Sequence, residues 1–362
     1  MKIGFVLHPY NEKNPGGLER AILGWLEALI AHDRENEYII FLKNPPVTYP
    51  KFTGSNWHIE ILGGGYFWLE RLKNFPADIY IFNTPVLPVI FRPKKSVVVA
   101  FDFPYKHLPS SGVREWLFRK FIGLYHKRSF KRAGSVIATS DSTREDVIKL
   151  FGVPSEKVKT IPHGFTKVCE LAEEKVELPD SPFFLYVGVI KERKNVLGII
   201  KAFELFKKNN PGTSHKLAIG GRFGIGNYHD QIKKYLQNHH LERDVALLGY
   251  VSQNQLSFVY RRAEALVSPT FIDGFGLPVL EAMSCGIPVI TSNVSGPAEL
   301  GRGGAAILVD PYNIESIAES MGKITKNSEL RKTLISAGFT RASEFTWERT
   351  ARETLELINS IK

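Results

Sequence analysis

The chain has 362 residues, 43% hydrophobic and 23% charged, with 30 Gly and 21 Pro, a balance that excludes disordered, collagen-like and coiled-coil classes. At roughly 150 residues per domain, that length predicts two domains, each able to bury its own core. The net charge of +10 is uneven, with 24 Lys+Arg against 15 Asp+Glu in residues 1–168 and 23 against 22 in the remainder.

In chain order, residues 2–7 form an apolar run that reads as a first strand rather than a signal peptide, which predicts a cytoplasmic protein. The loop 8–17 follows and carries Asn14-Pro15-Gly16-Gly17. Paired glycines before a helix leave amide N–H groups open to an anion, and equally often mark a plain turn. Ile22, Leu26, Leu29 and Ile30 recur at helical spacing across 18–31. Further strands are expected at 38–42, 79–82 and 97–100. The apolar stretch 79–91 is broken by Asn83, Pro85 and Pro88, short of the about 20 residues that a membrane span needs.

Residues 92–132 carry 11 basic residues against only Asp102 and Glu115. Within them a basic amphipathic helix is expected at 114–131, with Trp116, Phe118, Phe121, Ile122 and Tyr125 as its apolar residues. Such a helix suits an anionic lipid surface, or it presents a solvated face over a packed core. Nucleic acid ranks below both, because no motif that reads RNA or DNA accompanies the charge. Strands 135–138 and 158–161 close the first half. The charged segment 166–181, ending Pro179-Asp180-Ser181-Pro182, reads as the linker.

The second half repeats the alternation. Strands are expected at 183–189, 216–219, 245–248, 265–268, 287–291 and 306–309, with helices at 196–208, 280–284 and 344–361. Alternating strands and helices specify parallel sheets covered on both faces. Two such domains imply a cleft at the carboxyl ends of their strands. Cys169 and Cys285 make no disulfide framework and have no metal-ligand spacing around them.

Two loops of this half carry candidate chemistry. Arg193 and Lys194 sit between strand and helix, where a guanidinium and an ammonium suit a phosphate. As an isolated pair they read first as solvated loop cations. The block from Ser268 to Ile290 is sharper. Gly274 and Gly276 let backbone approach a ligand, and Pro278 suits the start of a helix whose amides favour phosphate. Glu281 is expected in the first turn, where a carboxylate accepts both hydroxyls of a ribose. Taken singly, Asp273 and Glu281 also suit helix capping.

The block Asp273-Gly-Phe-Gly-Leu-Pro-Val-Leu-Glu281 resembles the signature of glycosyltransferase family 4 (group 1), whose core is Glu-x7-Glu. Asp273 takes the first acidic position and is one methylene shorter. The resemblance spans nearly the whole chain through Gly16-Gly17, Ala138-Thr139-Ser140-Asp141-Ser142, Ile161-Pro162-His163-Gly164, Tyr186-Val187-Gly188, Lys194-Asn195, Leu248-Gly249-Tyr250-Val251 and Phe345-Thr346-Trp347-Glu348. It implies an α/β GT-B fold of two Rossmann-like, doubly wound parallel-sheet domains facing a cleft. An acceptor-binding domain at 1–167 and a donor-binding domain at 168–343 follow, with a helix at 344–362 crossing back to the first.

By the same resemblance, Arg193 and Lys194 meet the donor diphosphate, joined by Gly16 and Gly17. Asp273 meets sugar hydroxyls, Gly274, Phe275, Gly276 and Leu277 support sugar and phosphate, and Glu281 holds the ribose. Val251 belongs with the donor-binding positions, and Asp102 with the catalytic ones. Where the family often has His-Asp this chain has Phe101-Asp102, so His107 and His163 are the acceptor-side candidates. The implied reaction is retaining transfer of a hexose, without cofactor, from GDP-mannose or a UDP-hexose to a glycan or lipid-linked acceptor. Mannose is preferred because Glu-Arg-Lys-Asn at 192–195 resembles the mannosyltransferase form of that loop. No two aspartates are spaced as Asp-x-Asp, which predicts metal-independent transfer. The basic helix suggests peripheral attachment to the inner membrane face. A sugar-nucleotide epimerase and a non-catalytic nucleotide-sugar-binding subunit remain alternatives. The cluster Gly220–Gly226 lacks the Gly-x-Gly-x-x-Gly spacing of a dehydrogenase.

Overall fold

The structure is a computed structural model that describes residues 1–8, 10, 16–46, 49–110, 112–224 and 226–361. Asn14 and Pro15 of the first glycine-rich loop, and Ile225, lie outside the described residues. The chain divides into two units, Met1–Gly164 with Phe345–Lys362, and Phe165–Glu344.

The first unit runs β1 (Lys2–Val6), α1 (Gly17–His32), β2 (Glu37–Leu42), β3 (Trp57–Ile61), β4 (Ile79–Phe82), β5 (Ser96–Ala100), α2 (Pro104–His107), α3 (Val113–Arg132), β6 (Ser135–Ala138), α4 (Asp141–Phe151) and β7 (Val158–Thr160). All seven strands pair in parallel, in the order β3-β2-β1-β4-β5-β6-β7. Strands covered on both faces read as unbroken apolar runs, and Ser96-Val-Val-Val-Ala100 is buried at every position. β3 departs from the expected elements. It lies at the sheet edge, and its sequence Trp-His-Ile-Glu-Ile is only half-buried, so no apolar run announced it.

The second unit runs β8 (Phe183–Val187), α5 (Val196–Asn209), β9 (Lys216–Gly220), α6 (Tyr228–Asn238), β10 (Val245–Gly249), α7 (Gln253–Arg262), β11 (Ala265–Ser268), α8 (Leu277–Ser284), β12 (Val289–Ser292), α9 (Ser295–Leu300), β13 (Ile307–Val309), α10 (Ile314–Lys326) and α11 (Ser328–Ser343). Its six strands are also parallel, ordered β10-β9-β8-β11-β12-β13. Both sheets are therefore doubly wound, as the alternation predicts.

The last helix, α12 (Trp347–Ser360), packs in the first unit. It starts three residues later than expected because Thr346 caps it, accepting the Arg349 N–H, while Glu344 ends α11. Gly164 allows this docking. A Cβ there would stand 2.2 Å from the Trp347 nitrogen, and one at Gly24 would stand 2.6 Å from the Trp347 ring. The Gly164 N–H donates to Thr350 Oγ1 at 2.8 Å, and Trp25 Nε1 donates to Thr354 Oγ1 at 3.0 Å. Ala351, Leu357 and Ile358 then join the core beneath α1.

One expectation is overturned outright. Cys169 and Cys285 form a disulfide, their Cα atoms 5.5 Å apart. A separation of 116 residues hides the pair from any reading of spacing.

Candidate active site

Strand order in the second sheet reverses between β8 and β11, and ligands of open parallel sheets bind beyond the strand ends at such a reversal. The loops leaving these two strands bring together Arg193, Lys194 and Asp273. Lys194 Nζ donates to Asp273 Oδ2, while Arg193 Nη1 lies 3.8 Å from Oδ1 and donates to the Ile272 carbonyl at 3.1 Å. Burial pushes the Asp273 carboxyl up. The Lys194 and Arg193 charges and the bonds from Lys194 and the Gly274 N–H outweigh it, holding Asp273 below the usual carboxylate range. Two cations meet one carboxylate in a largely buried setting, where screening by water is weak.

Asn195 fixes these loops, a role its sequence context did not announce. Its backbone is left-handed, with φ 57°, at the start of α5. Its buried Nδ2 donates to the Pro269 carbonyl at 3.0 Å and the Pro311 carbonyl at 2.7 Å. The Phe271 N–H adds a bond to the Arg193 carbonyl at 3.0 Å. Loops after β8, β11 and β13 are thus tied together.

Helix α8 begins beside Asp273. Gly276 caps it with φ 105°, a conformation that favours glycine, and Pro278 follows in the first turn, so the helix starts earlier than expected. N–H groups at a helix start have no intrahelical acceptor, and the helix dipole makes that end positive. Glu281 falls in the second turn, not the first, and is 2% exposed. A buried carboxylate needs hydrogen bonds. Tyr260 of α7, itself fully buried, supplies one to Oε2 at 3.0 Å. Phe275 and Leu277 are buried, and the buried Val251 covers Gly220, where a Cβ would meet Val251 Cγ2 at 3.0 Å.

In the first unit the order reverses between β1 and β4. There the His8 N–H donates to Asn83 Oδ1 at 3.0 Å. The Gly16 N–H, expected to meet an anion, donates to the carboxylate of Glu19 in the first turn of α1. Beyond β5, Phe101 and Asp102 precede the single turn α2, which ends on His107. His107 Nε2 lies 2.7 Å from Asp146 Oδ2 of α4, a residue that sequence reasoning missed. That bond outweighs partial burial, and the Asp146 and Asp102 charges add to it, raising the His107 pKa.

His163 packs beneath the same segment. It is 2% exposed, stacked on Phe101 at 5.4 Å and flanked by Trp25 and Trp347 at 6.0 and 6.2 Å. Burial lowers its pKa to about 4, so it is a neutral core group rather than a surface one. Of the two acceptor-side candidates, His163 is buried and His107 is exposed. Among the described residues, no group of three or more His, Cys, Asp or Glu converges as metal ligands.

Two family models match the chain. Glycosyltransferase Family 4 covers residues 15–166, and Glycosyl transferases group 1 covers residues 170–341. The chain is a family 4, group 1 glycosyltransferase. This transferase is 27% identical to the O-antigen chain mannosyltransferase B of Escherichia coli, over 76% of its own length and 73% of the relative's. Sucrose-phosphate synthase from Thermosynechococcus elongatus shares its fold at a TM-score of 0.79 and 20% identity, covering 99% of this chain and 98% of that one. HepE from Anabaena, solved with UDP and glucose, superposes at 0.76 with 16% identity over 99% and 100% of the two chains. The transferase thus has the GT-B fold. Its cation–carboxylate cluster lies within the group 1 match, and Asp102, His107 and Asp146 lie within the family 4 match.

Proposed function

We propose that the second unit holds a nucleotide-diphosphate sugar and that the enzyme transfers its hexose, with retention of configuration, to a glycan or lipid-linked acceptor. One observation carries this reading: Arg193 and Lys194 converge on Asp273 beside the start of α8. As the anomeric bond breaks, negative charge grows on the departing diphosphate. Fixed cations and helix-start amides stabilise that charge more in the transition state than in the bound donor. Arg193 and Lys194 exchange part of their contact with Asp273 for the diphosphate, which leaves Asp273 to accept from sugar hydroxyls. Glu281 takes the ribose diol. The acceptor oxygen bonds to the anomeric carbon on the face the diphosphate leaves, and its proton passes to a leaving phosphate oxygen.

The reaction as proposed needs no divalent cation, since the positive charge comes from side chains. The donor is GDP-mannose in preference to a UDP-hexose, which the likeness to an O-antigen chain mannosyltransferase supports. The same relative supports a glycan acceptor of the O-antigen type, and residues 114–132 suggest work at the inner membrane face. Incubating the enzyme with radiolabelled GDP-mannose, UDP-glucose and related donors plus lipid extract tests the whole reading. Label should enter the glycan or lipid fraction, most from GDP-mannose, with full activity in the presence of chelator. An altered sugar nucleotide formed without acceptor would identify an epimerase instead, and a strict need for divalent metal would overturn the cation role.

A further inference from the structure

Asn83 directly follows β4, where the first sheet reverses its strand order, and it is fully buried. Its side chain is oriented from across that reversal. The His8 N–H, just past β1, donates to Oδ1 at 3.0 Å, which decides which end of the amide is oxygen and which is nitrogen. Nδ2, with two protons to give, has no hydrogen-bond partner among the described residues. Folded chains pair nearly all buried donors, because a bare one forfeits its hydration and gains nothing in return. Here the bare donor stands at the edge where open parallel sheets take their ligands.

The His8 side chain adds a second unpaired polar group. It is half-buried, and its ring lies 5.0 Å from that of the buried Trp68, in the short helix Gly65–Asn74. Neither ring nitrogen of His8 bonds to a described residue. Burial, and after it the Lys43 charge, lowers its pKa, so at neutral pH the ring is uncharged, with one nitrogen that donates and one that accepts. A hydroxyl both gives and takes a hydrogen bond, so it can meet the Asn83 amide and a bare imidazole nitrogen together. A phosphate oxygen only takes, and would leave that nitrogen's lone pair unmatched. An aromatic wall with a few placed polar groups is the usual composition of a small-molecule site.

We propose that Asn83 and His8 determine which acceptor the enzyme takes, by holding an uncharged sugar hydroxyl rather than a phosphate. Asn83 Nδ2 donates to the hydroxyl oxygen, and the His8 ring accepts the hydroxyl's hydrogen bond without removing its proton. The hydroxyl held is a recognition group and not the attacking oxygen. The inference rests on the reading that a glycan receives the hexose, and it names the group by which that glycan is gripped. It puts the grip beyond β1 and β4, at residues outside every motif of the sequence, instead of at His107 or His163.

Methyl glycosides of mannose, glucose, galactose, rhamnose and N-acetylglucosamine, titrated into the full chain without donor, test the grip apart from the transfer chemistry. Saturation-transfer NMR should show binding of at least one of them. In protein isotopically labelled at asparagine nitrogens, the Asn83 side-chain signal, identified by its loss in Asn83→Asp, should shift with that glycoside. Asn83→Asp keeps an oxygen for the His8 N–H and removes the donor, whereas His8→Phe keeps a ring beside Trp68 and removes both nitrogens. Each should weaken glycoside binding about tenfold. Nucleotide affinity, measured on the same samples, should not change, which keeps the donor reading separately testable. The monodeoxy glycoside that lacks the held hydroxyl should bind the parent about tenfold more weakly than its parent sugar does, and the difference should vanish in Asn83→Asp. A difference of the same size in parent and variant would mean that Asn83 acts only through the fold, and would overturn the proposal. So would a shift of the Asn83 signal by mannose 6-phosphate but by no glycoside, or a signal that none of these compounds moves.

Discussion

In the proposed reaction, Lys194 is the residue on which the chemistry most depends. Its ammonium is paired with Asp273, so in that reaction a donor diphosphate would be a second anion on the same charge. Lys194→Ala should lower turnover at least about a hundredfold, the scale of losing one transition-state charge donor, as single-turnover kinetics at saturating donor would show. Glu281 depends in turn on Tyr260. A hydroxyl at 3.0 Å from Oε2 holds one carboxylate oxygen in place, and Tyr260→Phe removes that bond while keeping the ring. The expected result is nucleotide affinity lowered by about fivefold to tenfold, with turnover at saturating donor little changed. A matched loss for the 2′,3′-dideoxynucleotide would show that Tyr260 does not act through the ribose. The meeting of Arg193, Lys194 and Asp273 follows loops that the sequence marks out, whereas Glu281 was expected one turn nearer the helix start than it stands. Tyr260, Asn195 and Asp146 were not legible. Their partners are 21, 74 or 116, and 39 residues away, so only the folded chain shows the contact.

At the scale of elements, α12 and α3 behave oppositely, since Trp116, Phe118 and Phe121 of α3 are exposed. α12 buries its apolar face against α1, and the aromatic group around His163 forms where it lands. His163 stays neutral down to about pH 4 in the folded unit, and so does His126 of α3, whereas an unfolded histidine takes a proton near pH 6.5. Between those values the unfolded state binds more protons, so stability falls as pH falls. Thermal melts between pH 7 and 4 should show this decline for the parent. His163→Phe, which keeps an aromatic ring between Trp25 and Trp347, should flatten it, and an unchanged slope would show that His163 does not contribute. Helix starts that a cap decides were not legible from apolar periodicity. Thr346 starts α12 and Gly276 starts α8, and both differ from the apolar-periodicity reading by the few residues that a cap decides.

At the scale of the whole molecule, chain connectivity matters more than composition. The chain leaves the first unit at Gly164 and returns to it at Phe345, so the second unit is an insertion with both ends close to one helix. Just inside that insertion, Cys169 is bonded to Cys285 at the end of α8. Closing a loop of 116 residues restricts the unfolded chain, which is worth about 2–5 kcal/mol. Reduction, or Cys285→Ser, should therefore lower the melting temperature of the second unit. Because α8 carries Glu281, nucleotide protection against that melt should weaken too. An identical melt under reducing conditions would show the bridge to be of no consequence. No helix among the described residues is long and apolar enough to cross a membrane.

The order of strands and helices, the doubly wound character of both sheets and the acidic signature after β11 were determined by local patterns: apolar runs at period two or 3.6, glycines at forced turns, charges at helix starts. Such patterns act over a few residues and are complete before the chain folds. Which cation meets which carboxylate, that His163 is interior while His107 is not, that two distant cysteines join, and that Phe121 of α3 is exposed were decided by tertiary structure alone. Each depends on the packing of elements tens of residues apart, and a helical stripe looks the same in sequence whether it meets a core or solvent.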